Sequence, residues 1–164
     1  SPHTEAAYMA TDLSSLLKGG IIIPCYEATS RKQALHAMSE ELGRVTGISA
    51  REIEDSVMER ERLGSTGVGE GVAIPHARVA GIQAPIGGFM RLATGVDFEA
   101  IDDRPCDLIF MLLAPLSAGA DHLRALAQVS RVFRQAPVRD ALREADTVEA
   151  VKAIICKESV ESPI

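Results

Sequence analysis

A chain of 164 residues suffices for one well-buried core and is too short for two ordinary domains, and its 46% apolar and 24% charged content is that of an ordered globular protein. A formal charge of -6 opposes the basic surface needed to track a nucleic-acid backbone, so nucleic acid is excluded as an expected partner. The longest strongly apolar run, Leu108 to Pro115, falls well short of the ~20 residues of a membrane span, and no basic leader precedes an apolar segment, so a cytoplasmic protein without membrane insertion is expected.

Residues 1–10 show no apolar period and read as a flexible leader, with the domain expected over 11–157 and a tail over 158–164. Asp12 is a possible cap for a short helix carrying Leu13, Leu16 and Leu17, which Gly19 and Gly20 end before a strand at Ile21, Ile22 and Ile23. Ser30 with Gln33 forms a capping-box pattern ahead of Ala34, Leu35, Met38, Leu42 and Val45, a helical stripe that stops at Gly47. Ser49 with Glu52 repeats the signal for a second helix bearing Ile53, Val57 and Met58 and ending at Gly64, so the two should pair across a tight turn.

From Gly64 to Gly71 four of eight residues are glycine, and the segment leads through Val72, Ala73, Ile74 and Pro75 to His76: a pliant loop feeding a short strand that ends at a histidine. Gly87 to Leu92 and Cys106 to Ala114 are further strands, the second so continuously apolar that both its faces must be covered. After Pro115, Asp121 can cap a helix with Leu123, Leu126, Val129, Ser130 and Phe133 on one face. Pro137 suits the first turn of another, and Asp146 with Glu149 suits the start of a last helix bearing Val148, Val151, Ile154 and Ile155. Strands alternating with helices imply a single α/β domain, a mixed and mostly parallel sheet with helices on both faces.

Several chemistries are absent from the pattern. The run Gly67-Val-Gly-Glu-Gly71 has neither the Lys-Ser/Thr ending of a Walker loop nor GxGxxG spacing. His3, His36, His76 and His122 lack metal-ligand spacing, and no GxSxG elbow surrounds Ser65 or Ser117. Cys25, Cys106 and Cys156 are too scattered for a disulfide framework or a CxxC pair and read as buried small hydrophobes. A neutral histidine, by contrast, needs no metal to act as a nucleophile toward a phosphoryl group, provided donors neutralise the oxygens and the ring is held. His76, approached by a stiff proline and flanked by glycine-freed amides, suits that part, although a strand-end histidine capping a carbonyl would look the same locally.

The seventeen-residue run Arg60-Glu-Arg-Leu-Gly-Ser-Thr-Gly-Val-Gly-Glu-Gly-Val-Ala-Ile-Pro-His76 closely resembles the active-site signature of enzyme IIA domains of the fructose/mannitol class of bacterial phosphotransferase systems. Element order from Leu13 to about Ile155 is similar to that family too. The resemblance implies a phosphorylated histidine at His76, a second site histidine at His122 in Gly119-Ala-Asp-His-Leu123, and polar helpers at Arg60 and Glu70. Arg60 would pair with phosphoryl oxygens, and Glu70 would orient imidazole or arginine. The family usually has glycine where this chain has Ala77, so a positive φ there would be strained by about 1 kcal/mol.

The resemblance implies an HPr-like phosphocarrier as donor and no nucleotide, metal or organic cofactor. Within the class, Arg-Glu-Arg-Leu-Gly-Ser-Thr and Gly-Ala-Asp-His-Leu look most like the nitrogen-regulatory type, which controls downstream targets by its phosphorylation state. A sugar-specific IIA passing phosphate to a IIB domain is the second reading. A module that keeps the fold but not the phosphorylation is a third, opposed by the presence of both His76 and His122.

Overall fold

Residues 12–156 are described by the computed structural model of the chain, and the expected leader and tail lie outside them. In chain order the elements are α1 (Ser14–Leu17), β1 (Ile21–Tyr26), α2 (Arg31–Thr46), α3 (Ala50–Leu63), β2 (Gly67–Gly69), β3 (Val72–Ala73), β4 (His76–Arg78), β5 (Ile86–Val96), β6 (Cys106–Ala114), α4 (Ala120–Phe133), α5 (Ala136–Glu144) and α6 (Val148–Ile155). The strands form one sheet of order β1-β5-β6-β3-β2, with β4 also on β6. β1–β5, β3–β6 and β4–β6 are parallel, whereas β5–β6 and β2–β3 are antiparallel. This is the mixed, mostly parallel α/β sheet that the element order implied.

β6 shows why both faces need cover. Ile109, Met111 and Leu113 join one core with Leu35, Met38, Leu42 and Ile53 of α2 and α3. Leu108, Phe110 and Leu112, alternating with them, join the other with Leu13, Val129, Phe133, Leu142 and Val151. Each such side chain contributes about 1.5–3 kcal/mol by leaving water. Among the described residues no helix is long and apolar enough to cross a membrane.

Local signals are realised where a side chain meets the backbone directly. The Ser30 hydroxyl accepts from Gln33 N–H, and Gln33 Oε1 in turn accepts from Thr29 N–H and its hydroxyl. Ser49 caps α3 through Glu52 N–H, and Gly47 closes α2 in the left-handed region at φ 77°.

Elsewhere the structure departs from expectation. The final helix is capped by Thr147, whose hydroxyl accepts from Ala150 N–H, while Asp146 turns to Arg91. α4 begins at Gly119 with no side-chain cap, and Asp121 lies inside its first turn. The inward face of the helix is His122, Ala125, Val129, Val132 and Phe133, and Leu123, expected on it, is 68% exposed. β5 runs past Leu92 to Val96, and the glycine-rich loop contains a strand of its own, β2. Of the cysteines only Cys106 is buried; Cys25 is exposed and Cys156 half-buried, because Cys25 lies at the outer end of the edge strand β1.

Candidate functional site

Two strands deliver His76 and set its orientation. β3 leaves β6 at Ile74, Pro75 interrupts the ladder because it has no N–H, and β4 rejoins β6 with His76 opposite Leu112. His76 therefore begins a strand rather than ending one. The Pro75 carbonyl still accepts from Leu112 N–H at 2.9 Å, so the kink is anchored. Ala77 pairs with Leu113 inside β4, and among the described residues the positive-φ positions outside glycine are Glu70, Glu99 and Asp103. The strain expected at Ala77 does not arise, since β-strand backbone accepts alanine at that position.

Among the described residues one hydrogen bond holds the ring of His76. Nδ1 lies 2.8 Å from the Ile74 carbonyl oxygen. A carbonyl only accepts, so the neutral ring carries its proton on Nδ1 and leaves the lone pair on Nε2. Burial pushes the His76 pKa below the ordinary value and the Arg60 cation adds to that, while the Ile74 carbonyl and the Glu61 carboxylate pull the other way. The balance favours the neutral, nucleophilic ring.

His122 sits in the first turn of α4 with its ring centroid 5.6 Å from that of His76 and the planes tilted by 55°. It is 9% exposed, and its Nδ1 is buried with no hydrogen-bond partner among the described residues. Burial again lowers its pKa, followed by the fields of His76 and Arg78. Two sequence-distant imidazoles thus meet because β4 and the segment leaving β6 share one end of the sheet.

Arg60, Ser65, Thr66, Val68, Ile74, Leu126 and Ser130 line a cleft of about 220 Å³ with His76. Arg60 comes from the last turn of α3 and donates from Nη1 to the Gly64 carbonyl at 2.7 Å, which holds it at the cleft rim. Glu70 is elsewhere. Its carboxylate pairs with Arg104 at 2.9 Å and approaches Arg139 at 3.9 Å, so it touches neither imidazole nor Arg60. Its carboxylate is taken up by the β5–β6 loop and α5.

The carboxylate whose field reaches His76 is Glu61, a residue that the sequence pattern did not single out. It is 4% exposed, accepts from the Thr66 hydroxyl, and pairs with Arg31 at 3.2 Å. Its position is marked by spacing: Ile53, Val57 and Glu61 follow one another at four-residue intervals on the buried stripe of α3. A buried carboxylate next to a buried hydroxyl and a guanidinium ties the end of α3 to the start of the glycine-rich segment.

Comparison with known proteins agrees with this architecture. The chain matches the family described as phosphoenolpyruvate-dependent sugar phosphotransferase system, EIIA 2, over residues 15–158. It is 38% identical over 143 residues to a nitrogen regulatory protein of Bradyrhizobium diazoefficiens, covering 87% of this chain and 94% of that one. It is also 41% identical over 103 residues to a fructose-specific EIIA component of Haloferax volcanii, covering 63% and 67%. Among solved structures, nitrogen regulatory protein IIA-Ntr from Neisseria meningitidis superposes with a TM-score of 0.80 at 35% identity, covering 87% of this chain and 98% of that one. With the sheet order, the paired histidines and a match across nearly all the described residues in agreement, the chain belongs to the EIIA 2 family and is a component of the phosphotransferase system.

Proposed function

We propose that His76 is the phosphoryl acceptor, through Nε2, and that the chain is a regulatory phosphocarrier of the nitrogen-regulatory type. The observation that carries this reading is the bond from Nδ1 to the Ile74 carbonyl, which fixes the tautomer and frees Nε2 beside His122. Nε2 attacks phosphorus in line. The new N–P bond forms as the P–N bond to the donor, an HPr-like phosphohistidine carrier, breaks, and the electron pair returns to the donor imidazole.

Arg60 neutralises developing charge on the phosphoryl oxygens, and His122 donates to one of them. The first-turn amides of α4, which no side chain caps, add positive potential at the same end of the sheet. In this reading His76, Arg60 and His122 carry the transfer, and the resemblance implies no metal, nucleotide or organic cofactor. We place the working domain at 11–157 and the protein in the cytoplasm, where its phosphorylation state would be read by downstream targets.

The test is incubation with enzyme I, an HPr-like carrier and phosphoenolpyruvate, read by intact mass. One added phosphoryl group in the wild type and none in His76→Ala is the expected result. The fructose-specific relative supports one alternative, a sugar-uptake role. Fast stoichiometric transfer to a sugar-specific IIB domain, with no target that distinguishes the two phosphorylation states, would favour it.

A further inference from the structure

Glu70 occupies an unfavourable backbone position for its residue type. Its φ is 59°, in the left-handed region that glycine and asparagine tolerate and glutamate resists. It stands at the turn between β2 and β3, and β2 is a three-residue edge strand paired only with β3. So short a hairpin has little ladder to hold it.

Glu70 is instead held from outside, by all three of its polar groups. Its carboxylate bonds Arg104 at 2.9 Å and lies 3.9 Å from Arg139 of α5. Its N–H donates to Asp102 Oδ2 at 2.9 Å, and its carbonyl accepts from Arg143 of α5 at 2.8 Å. The anchors are themselves fixed: Arg143 makes a two-pronged pair with Asp107 at 2.8 and 2.9 Å, and Arg139 donates to the Phe133 carbonyl at 2.9 Å. A side chain on Gly71 would strike Arg143 at 2.4 Å, so the glycine after Glu70 leaves room for this clasp.

The hairpin so clasped is a wall of the histidine cleft. Val68 and Ser130 line both the His76 cleft and an adjoining one of about 430 Å³ that contains Glu70, Arg134 and Arg139. We propose that Glu70 is an electrostatic latch that holds the β2–β3 hairpin against the β5–β6 loop and α5, and so shapes the cleft at His76. It is a positioning residue, and this role rests on the reading of His76 as acceptor.

The test compares Glu70→Gln, which keeps size and backbone strain but removes the charge, with Arg104→Gln and the double variant. Amide hydrogen exchange at residues 67–71 should rise in either single variant by roughly 2- to 5-fold, the scale of one exposed ion pair. The rate of phosphoryl acceptance should fall with the maximal rate, leaving KM for the carrier nearly unchanged, and the double variant should be no worse than Glu70→Gln alone. Rising salt should loosen the wild-type hairpin toward the Glu70→Gln level and move that variant, which keeps only the Arg143–Asp107 pair, much less. Unchanged exchange in Glu70→Gln, additive effects in the double variant, or parallel salt profiles would overturn the latch. Exchange needs no phosphate donor, so a chain that accepts no phosphate but shows the expected exchange pattern would sink the acceptor reading while leaving the clasp standing.

Discussion

His76 and His122 are both held mainly neutral by burial, and the consequences for pH have a definite sign. Because the folded pKa values lie below the ordinary 6.5, protonation opposes folding. The stability that the neutral rings contribute is present above that value and is lost as pH falls through the folded pKa values. Phosphoryl acceptance should accordingly hold its rate down to mildly acidic pH and fall below it. A phosphoryl group on His76 brings a charge of about -1.5 to -2 within reach of His122 and should reverse the sign of its shift. Nitrogen-detected NMR titration checks this: His122 should titrate below the ordinary histidine value in the free protein and above it in the phosphorylated one. Arg60→Ala should raise the barrier to transfer by about 2–4 kcal/mol while lowering stability far less, since the bond it loses, to Gly64, lies at the surface. Stopped-flow transfer kinetics beside denaturant unfolding separate the two effects.

Elements differ in how locally they are determined. α2 and α3 are readable from their caps because Ser30 and Ser49 bond backbone within three residues, a relation written in adjacent sequence. The cap of α6 lies one residue beyond the expected Asp146: both residues are good caps, and in the fold Asp146 pairs with Arg91 of β5 while Thr147 meets Ala150 N–H. Thr147→Ala should therefore cost about 1 kcal/mol in equilibrium unfolding and leave phosphoryl acceptance unchanged. Gly20 makes a stricter demand: a Cβ there would meet the Gly87 carbonyl oxygen at 1.9 Å. Gly20→Ala should part β1 from β5, and a loss of several degrees in Tm is the expected readout. β2 has no signature of its own, because three residues with two glycines carry no period; its strand character comes from β3 alone.

At the scale of the molecule, the sheet with helices on both faces is written in the sequence, because β6 is apolar at successive positions and such a strand has no face left for water. The candidate acceptor is legible too, in the dense run from Arg60 to His76. A domain of this kind should switch its partners by charge, so affinity for a regulatory target should differ between the two phosphorylation states while far-ultraviolet circular dichroism does not change. Near neighbours and alternation sufficed for the caps of α2 and α3 and for the two-faced central strand, whereas His76 stands out only through the resemblance carried by the Arg60–His76 run. The carboxylate that reaches His76 depended on packing instead. Glu61 and Glu70 lie nine positions apart in the same polar run, and nothing in their order says that one is buried against Thr66 and Arg31 while the other turns away to Arg104. Arg31 arrives from α2 and Arg104 from the β5–β6 loop. A charged side chain's role is set by the field and the dielectric around it, which exist only once distant segments have packed.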